Sequence, residues 1–280
     1  MVEEYVLSKE PNIEEAIVQS YSELSPNARI IANYIQQNPL AIISMSVSGI
    51  ANVTQTSKAT VSRFFRQIGY ESHKQAKAKL LARRVGGFPV ANTTLHSQNQ
   101  LNNEISNITK TLNGVDASQL KNIVNLLSNN NKISIIGYRN SYPIALHLRQ
   151  QLMQIRNSVR ILPQPGQTLA EELVSLDKDE VIILIGFRRR PKNFDKLVDS
   201  VSKQPVILIT DPTGQVFNKQ VNHLLVCHLG QENAFDSYAA PMSMVSILCN
   251  ETYKRLANKG QVRTSTISKM YQQLDELSEL

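Results

Sequence analysis

The stretch Val47 to Ala82, V-S-G-I-A-N-V-T-Q-T-S-K-A-T-V-S-R-F-F-R-Q-I-G-Y-E-S-H-K-Q-A-K-A-K-L-L-A, decides how the chain begins. Its first part carries small and aliphatic residues at Val47, Ile50 and Ala51, the mark of a short packed helix. Thr54, Gln55, Thr56 and Ser57 make a polar turn. A second helix follows, with Val61, Phe64, Phe65 and Ile68 at helical spacing and Lys58, Ser62, Arg63 and Arg66 on its other side. Gly69-Tyr70 stops it, and Ser72 caps a third helix that runs to about Arg84. Two short helices across a tight turn, the second basic on its free face, is the layout of a helix-turn-helix that lays its second helix in the DNA major groove. Ser57, Lys58, Thr60 and Arg63 are the candidates for base edges or nearby phosphates; Arg66, His73 and Lys74 suit backbone phosphates. Phe64 and Phe65 fall on the apolar stripe, so they read as core rather than as base-stacking platforms.

Charge supports duplex DNA as the partner. Between Met45 and Arg84 stand eight Lys and Arg residues against Glu71 alone, so this segment carries the whole formal net charge of +7 and the rest of the chain is near neutral. With 41% hydrophobic and 19% charged residues, the 280-residue chain is globular and long enough for one or two domains. Cys227 and Cys249 read as buried free thiols of a reducing compartment, and no cysteine cluster points to zinc. The acidic N-terminus lacks the apolar core of a signal peptide. The longest apolar run, Val181 to Phe187, is too short to span a bilayer. A cytoplasmic protein without membrane contact, metal or cofactor is expected.

Upstream of the motif, Ile13 to Tyr21 reads as a helix, and Ser25-Pro26 starts another that ends near Asn38-Pro39. Residues 1–84 therefore form an all-α domain. Residues 85–99, with Gly86, Gly87, Pro89 and Asn92, read as a linker. Residues 100–280 open with helices over Leu101–Leu112 and Ala117–Ser128. Compact β runs then appear at Ile133–Ile136, Val159–Leu162, Val181–Ile185, Val206–Ile209 and His223–Leu229. Helical stretches alternate with them at Tyr142–Ile155, Thr168–Leu176, Phe194–Val201 and Gly214–Gln220. Continuous apolar strands alternating with helices imply a parallel sheet covered on both faces. Ser237–Ala257 and Thr264–Ser278 close the chain as helices.

The helix-turn-helix segment resembles the RpiR family of bacterial transcriptional regulators. Ile50, Ala51, Ser57, Thr60, Val61, Arg63, Phe64, Gly69, Tyr70, Ser72, His73 and Lys77 fall on the family's pattern, with Thr56 in place of a usual valine. The resemblance covers about a quarter of the chain. It implies that the second domain is a sugar isomerase (SIS) domain, a five-stranded parallel α/β three-layer sandwich that binds phosphosugars. Gly137-Tyr138-Arg139-Asn140-Ser141 matches the family's Gly-x-x-x-Ser turn after the first strand, at a helix start suited to an anion.

The third strand departs from that pattern. Where SIS domains carry a Ser-x-Ser-Gly-x-Thr loop, this chain has Gly186-Phe187-Arg188-Arg189-Arg190-Pro191-Lys192-Asn193, without a hydroxyl. Arg188, Arg189 and Arg190 lie at the C-terminal end of a central parallel strand, where open α/β sheets bind ligands, and guanidinium groups grip carboxylate or phosphate with paired hydrogen bonds. Gly137, Arg139, Asn140, Ser141, Arg188, Arg189 and Arg190 are thus the candidate effector site, with Gln167, Thr168, Asp236 and Ser237 as neighbours. Asp211-Pro212-Thr213-Gly214 reads as a turn and helix cap.

The expected function is a transcriptional regulator that binds operator DNA, senses a small anionic effector (sugar phosphate or carboxylate) and works as a homodimer or homotetramer, since two heads on two half-sites multiply a weak single contact. A sugar-phosphate isomerase with an accessory helical domain is the alternative; Glu171, Glu172, Glu232, His147, His223 and His228 are its available bases, none in a motif that names it as one. A third possibility is an architectural DNA-binding protein whose second domain only oligomerises.

Overall fold

The computed structural model describes residues 13–86, 97–230 and 235–277. The chain falls into two compact units, Met1–Asn99 with Gly230–Asp236 and Gln100–Leu229 with Ser237–Leu280. Most of the linker expected at 85–99, residues 87–96, lies outside the described residues.

The first unit is all helical: α1 (Ile13–Ser20), a 3-10 turn (Tyr21–Glu23), α2 (Pro26–Gln37), α3 (Ala41–Ser44), α4 (Val47–Val53), α5 (Lys58–Gln67) and α6 (His73–Gly86). Ser25 caps α2 by accepting from the Ala28 amide at 3.4 Å, with Pro26 in the first helical position. The one-turn α3 was hidden by Asn38-Pro39, which reads as a stop. Leu40, Ala41, Ile42 and Ile43 are all buried, and a helical turn is how consecutive apolar residues satisfy their backbone there. Ile17, Ile31, Ile35, Ile50, Val61, Phe64 and Phe65 share one core. Phe64 and Phe65 pack edge to face at 5.3 Å.

In the second unit, β1 (Ile133–Gly137), β2 (Val159–Leu162), β3 (Val181–Gly186), β4 (Val206–Thr210) and β5 (His223–Val226) form one parallel sheet in the order β2-β1-β3-β4-β5. Around it stand α7 (Ser97–Asn113), α8 (Ala117–Asn129), α9 (Ser141–Ile155), α10 (Ala170–Val174), α11 (Phe194–Ser200), α12 (Ala239–Leu256) and α13 (Asn258–Leu274). Period-2 alternation splits the apolar strands between two cores. Ile133, Ile135, Val181, Ile183, Ile185, Ile207 and Ile209 pack with residues of α8, α9 and α12. Ile136, Ile182, Leu184, Val206 and Leu208 face the other way, onto α11 and Phe217. The sheet is the middle of three layers, as the continuous apolar runs implied.

Buried polar groups tie the layers at their N-terminal edge. Arg156 caps the C-terminal end of α8, donating to the Leu127 carbonyl and to those of Asn130 (2.6 Å) and Asn131 (2.9 Å). Buried Glu180 accepts from the Ser134 hydroxyl and pairs with Arg160 at 3.1 Å.

Three boundaries differ from expectation. The helix expected at Gly214–Gln220 is a 3-10 turn over Pro212–Phe217. The last strand ends at Val226; the Cys227 amide still bonds Thr210 at 2.7 Å, and the run to Leu229 then leaves the ladder. The terminal helix begins at Asn258 rather than Thr264, because Ala257 (φ 46°) breaks the chain immediately after α12.

Candidate functional site

In the helix-turn-helix, hydrogen bonds from side chains and backbone hold the turn. The Thr54 hydroxyl donates to the Ile50 carbonyl at 2.7 Å and meets Thr56 Oγ1 at 2.9 Å; the Thr56 amide donates to Ala51 at 2.9 Å. Gln55 takes the left-handed position (φ 51°). Ser57 is the N-cap of α5: Oγ accepts from the Thr60 amide at 3.1 Å and sits 2.8 Å from Thr60 Oγ1. The hydroxyls of Ser57 and Thr60 are therefore committed first to the cap. At the other end Gly69 (φ 87°) closes α5, with the Tyr70 amide on the Phe65 carbonyl at 2.9 Å. Ser57→Ala is expected to cost about 1 kcal/mol of stability in a urea melt, and an unchanged midpoint would show that the cap does not hold the helix start.

Lys58, Arg63, Arg66 and Lys74 are exposed. Lys58, Ala59, Ser62, Arg63 and Arg66 recur at three- and four-residue spacing on the side of α5 opposite its buried stripe. Ala59, which sequence reading passed over, is a small exposed residue on that face, suited to close backbone approach or to contact with a thymine methyl.

His73, expected at the surface facing phosphates, lies elsewhere. Its ring packs edge to face on Phe65 at 5.2 Å, and Nε2 is buried without a hydrogen-bond partner. Burial lowers its pKa, a hydrogen bond to the Ile42 backbone opposes the shift, and Lys77 adds to the lowering. The apolar ring of Phe65 draws it inward, which sequence spacing does not reveal. Because the folded state holds the neutral ring, unfolded chains take up protons first. Stability from this group is present above the ordinary value of 6.5 and is lost as pH falls through the depressed folded value. Urea midpoints of the parent are expected to fall between pH 7.5 and 5, and His73→Asn, which keeps a donor and does not titrate, flattens that fall; equal slopes would refute the assignment.

The second site lies where the sheet reverses its winding. β2 flanks β1 on one side and β3 on the other, so the crevice opens beyond Gly137 and Gly186. The register sets Gly137 against Ile185. A Cβ on Gly137 would lie 2.9 Å from the Ser141 carbonyl oxygen and 3.0 Å from Ala145 Cβ, so this glycine lets α9 start directly over the strand end. The Phe187 amide donates to buried Ser141 Oγ at 3.4 Å, tying the two turns together. Arg139, Asn140 and Arg189 are exposed, and Arg188 is partly buried.

The expected anion-binding helix start is largely spent. The Ser141 amide donates to Tyr138 and the Tyr142 amide to Arg139, each at 3.0 Å, and the third helical residue is Pro143, which has no N–H. The exposed cationic side chains of the neighbouring turns are the donors left over at these strand ends.

Arg190 is not among them. Nε donates to the Gly186 carbonyl at 2.9 Å, Nη1 to Thr213 Oγ1 at 3.0 Å, and Nη2 to Thr210 Oγ1 at 2.6 Å and Asp211 Oδ1 at 2.5 Å. Four of its five donors are used inside the fold. Its Cζ stands 5.7 Å from the Phe194 ring centroid and 5.9 Å from that of Phe217. The run of three arginines hides this difference, since the partners come from β4 and the turn after it. Asp211, expected as a turn cap, accepts from the Thr213 amide at 3.4 Å and is also the buried counter-ion.

Neighbouring candidates are engaged too. Thr168 Oγ1 donates to Glu171 at 2.5 Å, Glu172 pairs with Arg160 at 2.9 Å, and Gln167 is exposed. Ser237 donates to Glu104 at 2.6 Å and accepts from the Ala239 amide at 3.3 Å. Glu232 lies outside the described residues. Both cysteines are buried free thiols whose pKa is pushed up to about 12 by burial, so they are inert as nucleophiles. Among the described residues no group of His, Cys, Asp and Glu is placed to hold a metal, and no helix is long and apolar enough to cross a membrane.

Comparison with known proteins matches both units. Residues 11–83 match the family described as helix-turn-helix domain, rpiR family, and residues 126–250 match the SIS domain. An uncharacterised HTH-type transcriptional regulator of Caldanaerobacter subterraneus is 30% identical over 132 residues, 44% of this chain and 47% of its own length. A second such regulator, from Thermotoga maritima, is 24% identical over 210 residues, 70% of this chain and 74% of that protein. The chain thus spans about half the length of the first of these relatives. Among solved structures, the NanR protein of Vibrio vulnificus complexed with ManNAc-6P shares the fold at a TM-score of 0.58 and 18% identity, over 94% of this chain and 99% of that one. Helix-turn-helix head and five-stranded parallel tail thus match, unit by unit, the rpiR-family helix-turn-helix domain and the SIS domain.

Proposed function

We propose that the protein is a DNA-binding transcriptional regulator whose SIS domain senses a small anionic metabolite, a sugar phosphate or a carboxylate. The observation that carries this reading is the exposed basic face of α5 over a fully buried apolar stripe. Its operator contacts are Lys58, Arg63 and the capped start at Ser57 and Thr60, with Arg66 and Lys74 on phosphates. Effector contacts come from the crevice beyond β1 and β3, with Gly137, Asn140 and Ser141 shaping it and Arg139, Arg188 and Arg189 supplying charge. ManNAc-6P in a structure of the same fold supports an anionic sugar as one ligand class. The protein works in the cytoplasm as a homodimer or homotetramer, with head and tail joined between α6 and α7, so the linker expected at 85–99 is shortened at both ends by helix. It is a regulator rather than an enzyme: of the candidate bases, Glu171 is taken up by Thr168 and Glu172 by Arg160.

The test is fluorescence anisotropy on the protein's own promoter and on a scrambled duplex, with and without sugar phosphates and carboxylates. Preference for the promoter, altered by at least one anion, is expected. Equal affinity for both duplexes at every salt concentration would defeat it.

A further inference from the structure

The terminal helix α13 is packed on one side and bare on the next. Gly260 is its only buried residue; Arg263 Nε donates to the Met153 carbonyl of α9 at 2.9 Å, and Thr264, Ile267 and Tyr271 are partly buried around the same side. Val262, Thr266, Met270 and Leu274 recur every four residues on the flank of that contact and are all exposed. On its own this helix is poor. Val262, Thr264, Thr266 and Ile267 are β-branched, Gly260 lies within it, and its N-cap, Ala257, offers no side-chain acceptor. Its charges also oppose its dipole: Lys259 stands in the first turn, and Asp275 and Glu276 follow the last, all three exposed. Each end repels the charge placed at it, so the pattern is favourable only against a surface of opposite polarity.

We propose that α13 is the surface on which a second copy of this chain docks, the two helices antiparallel about a two-fold axis. The proposal rests on the self-association given above and assigns it a surface. Charge names the occupant. In an antiparallel pair the basic start of one helix lies along the acidic end of the other, twice over, and the dipoles agree with the side chains. Centred between Thr266 and Met270, the pairing sets Val262 of one copy against Leu274 of the other and brings Lys259 to the end that carries Asp275 and Glu276. The four-residue row then meets its own copy and leaves water. Arg263 stays on the Met153 carbonyl, so the α9 contact and the new one use different sides of the helix. A parallel pair would set Lys259 on Lys259 and Asp275 on Asp275, and like charges reject it.

The experiment is sedimentation equilibrium of the full chain over a concentration series, with circular dichroism as the check on folding. The parent is expected to self-associate. Met270→Glu with Leu274→Glu is expected to raise the dissociation constant at least about 10-fold, since each change counts twice across the axis. Lys259→Glu alone is expected to raise it about 3–10-fold, and Lys259→Glu with Asp275→Lys and Glu276→Lys to restore the parent value. The charge variants agree with the dipole of α13, so association lost in them does not come from an unwound helix, and they decide alone if the Glu pair loses helix. A Lys259→Glu chain that associates as the parent does, or a triple variant that stays as weak as the single one, overturns the pairing. So does a folded Glu pair with the parent's dissociation constant. A parent that is monomeric throughout overturns this proposal together with the homo-oligomer reading; an oligomer indifferent to every α13 variant overturns this proposal alone.

Discussion

Lys58→Ala, Arg63→Ala and Arg66→Ala together are expected to lower affinity for the promoter on the order of 10²–10⁴-fold at moderate salt, without unfolding the head. The estimate combines about 1–3 kcal/mol for a base-reading side chain with the counterion release lost at each phosphate contact. All three residues are exposed, while Val61, Phe64 and Phe65 beneath them are fully buried, so the substitutions leave the packed side of α5 intact. The single variants separate roles. Arg66→Ala or Lys74→Ala weakens promoter and scrambled duplex alike and reduces the slope of log affinity against log salt by about 1. Arg63→Ala is expected to cost the promoter more than the scrambled duplex, because a base contact is lost as well as a charge. Anisotropy at several salt concentrations on both duplexes reads all of these. A triple variant that binds as the parent does would mean that α5 does not face DNA.

The second unit was legible where hydrophobic pattern alone decides structure. Val181–Gly186 and Val206–Thr210 are apolar at every position but the strand ends, and a segment that short and that apolar has to be covered on both faces. From that follow the parallel sheet and the helices on its two sides. The head was legible for a different reason: Ser25 and Ser72 punctuate the chain as caps, each accepting from an amide in the first turn of its helix, and the structure adds Ser46 and Ser57, which do the same. What stayed hidden depends on contacts remote in sequence. His73 turns inward because Phe65 offers it an apolar face. Arg190 is held in the fold because Thr210, Asp211 and Thr213 arrive beneath it from the next strand and the turn after it. Left-handed backbone at Arg139 and Arg189 could not be read from residue type, since arginine has no preference for it.

Arg190→Ala is expected to destabilise the SIS domain by about 3–5 kcal/mol, because it strands a buried charge rather than merely deleting a contact. Asp211 is 5% exposed and Arg190 14%, so neither partner has water to fall back on. The guanidinium also donates to the Gly186 carbonyl, Thr210 and Thr213; the Thr210 hydroxyl still reaches Gly186 at 2.7 Å and Thr213 still donates to Asp211, but neither brings a positive charge. A loss of that size lowers the domain's Tm by roughly 6–20 °C. Arg190→Lys keeps the charge but not the planar fork, and is expected to recover only part of the loss. Removing both charges tests the cause directly. In Arg190→Met with Asp211→Asn, asparagine can still accept from the Thr213 amide as a cap while no carboxylate is left unpaired, so the double variant is expected to melt well above Arg190→Ala. If Arg190→Ala instead costs under about 1 kcal/mol, its guanidinium is not held by the fold. The melt therefore decides whether Arg190, unlike the exposed Arg189, builds the end of the sheet.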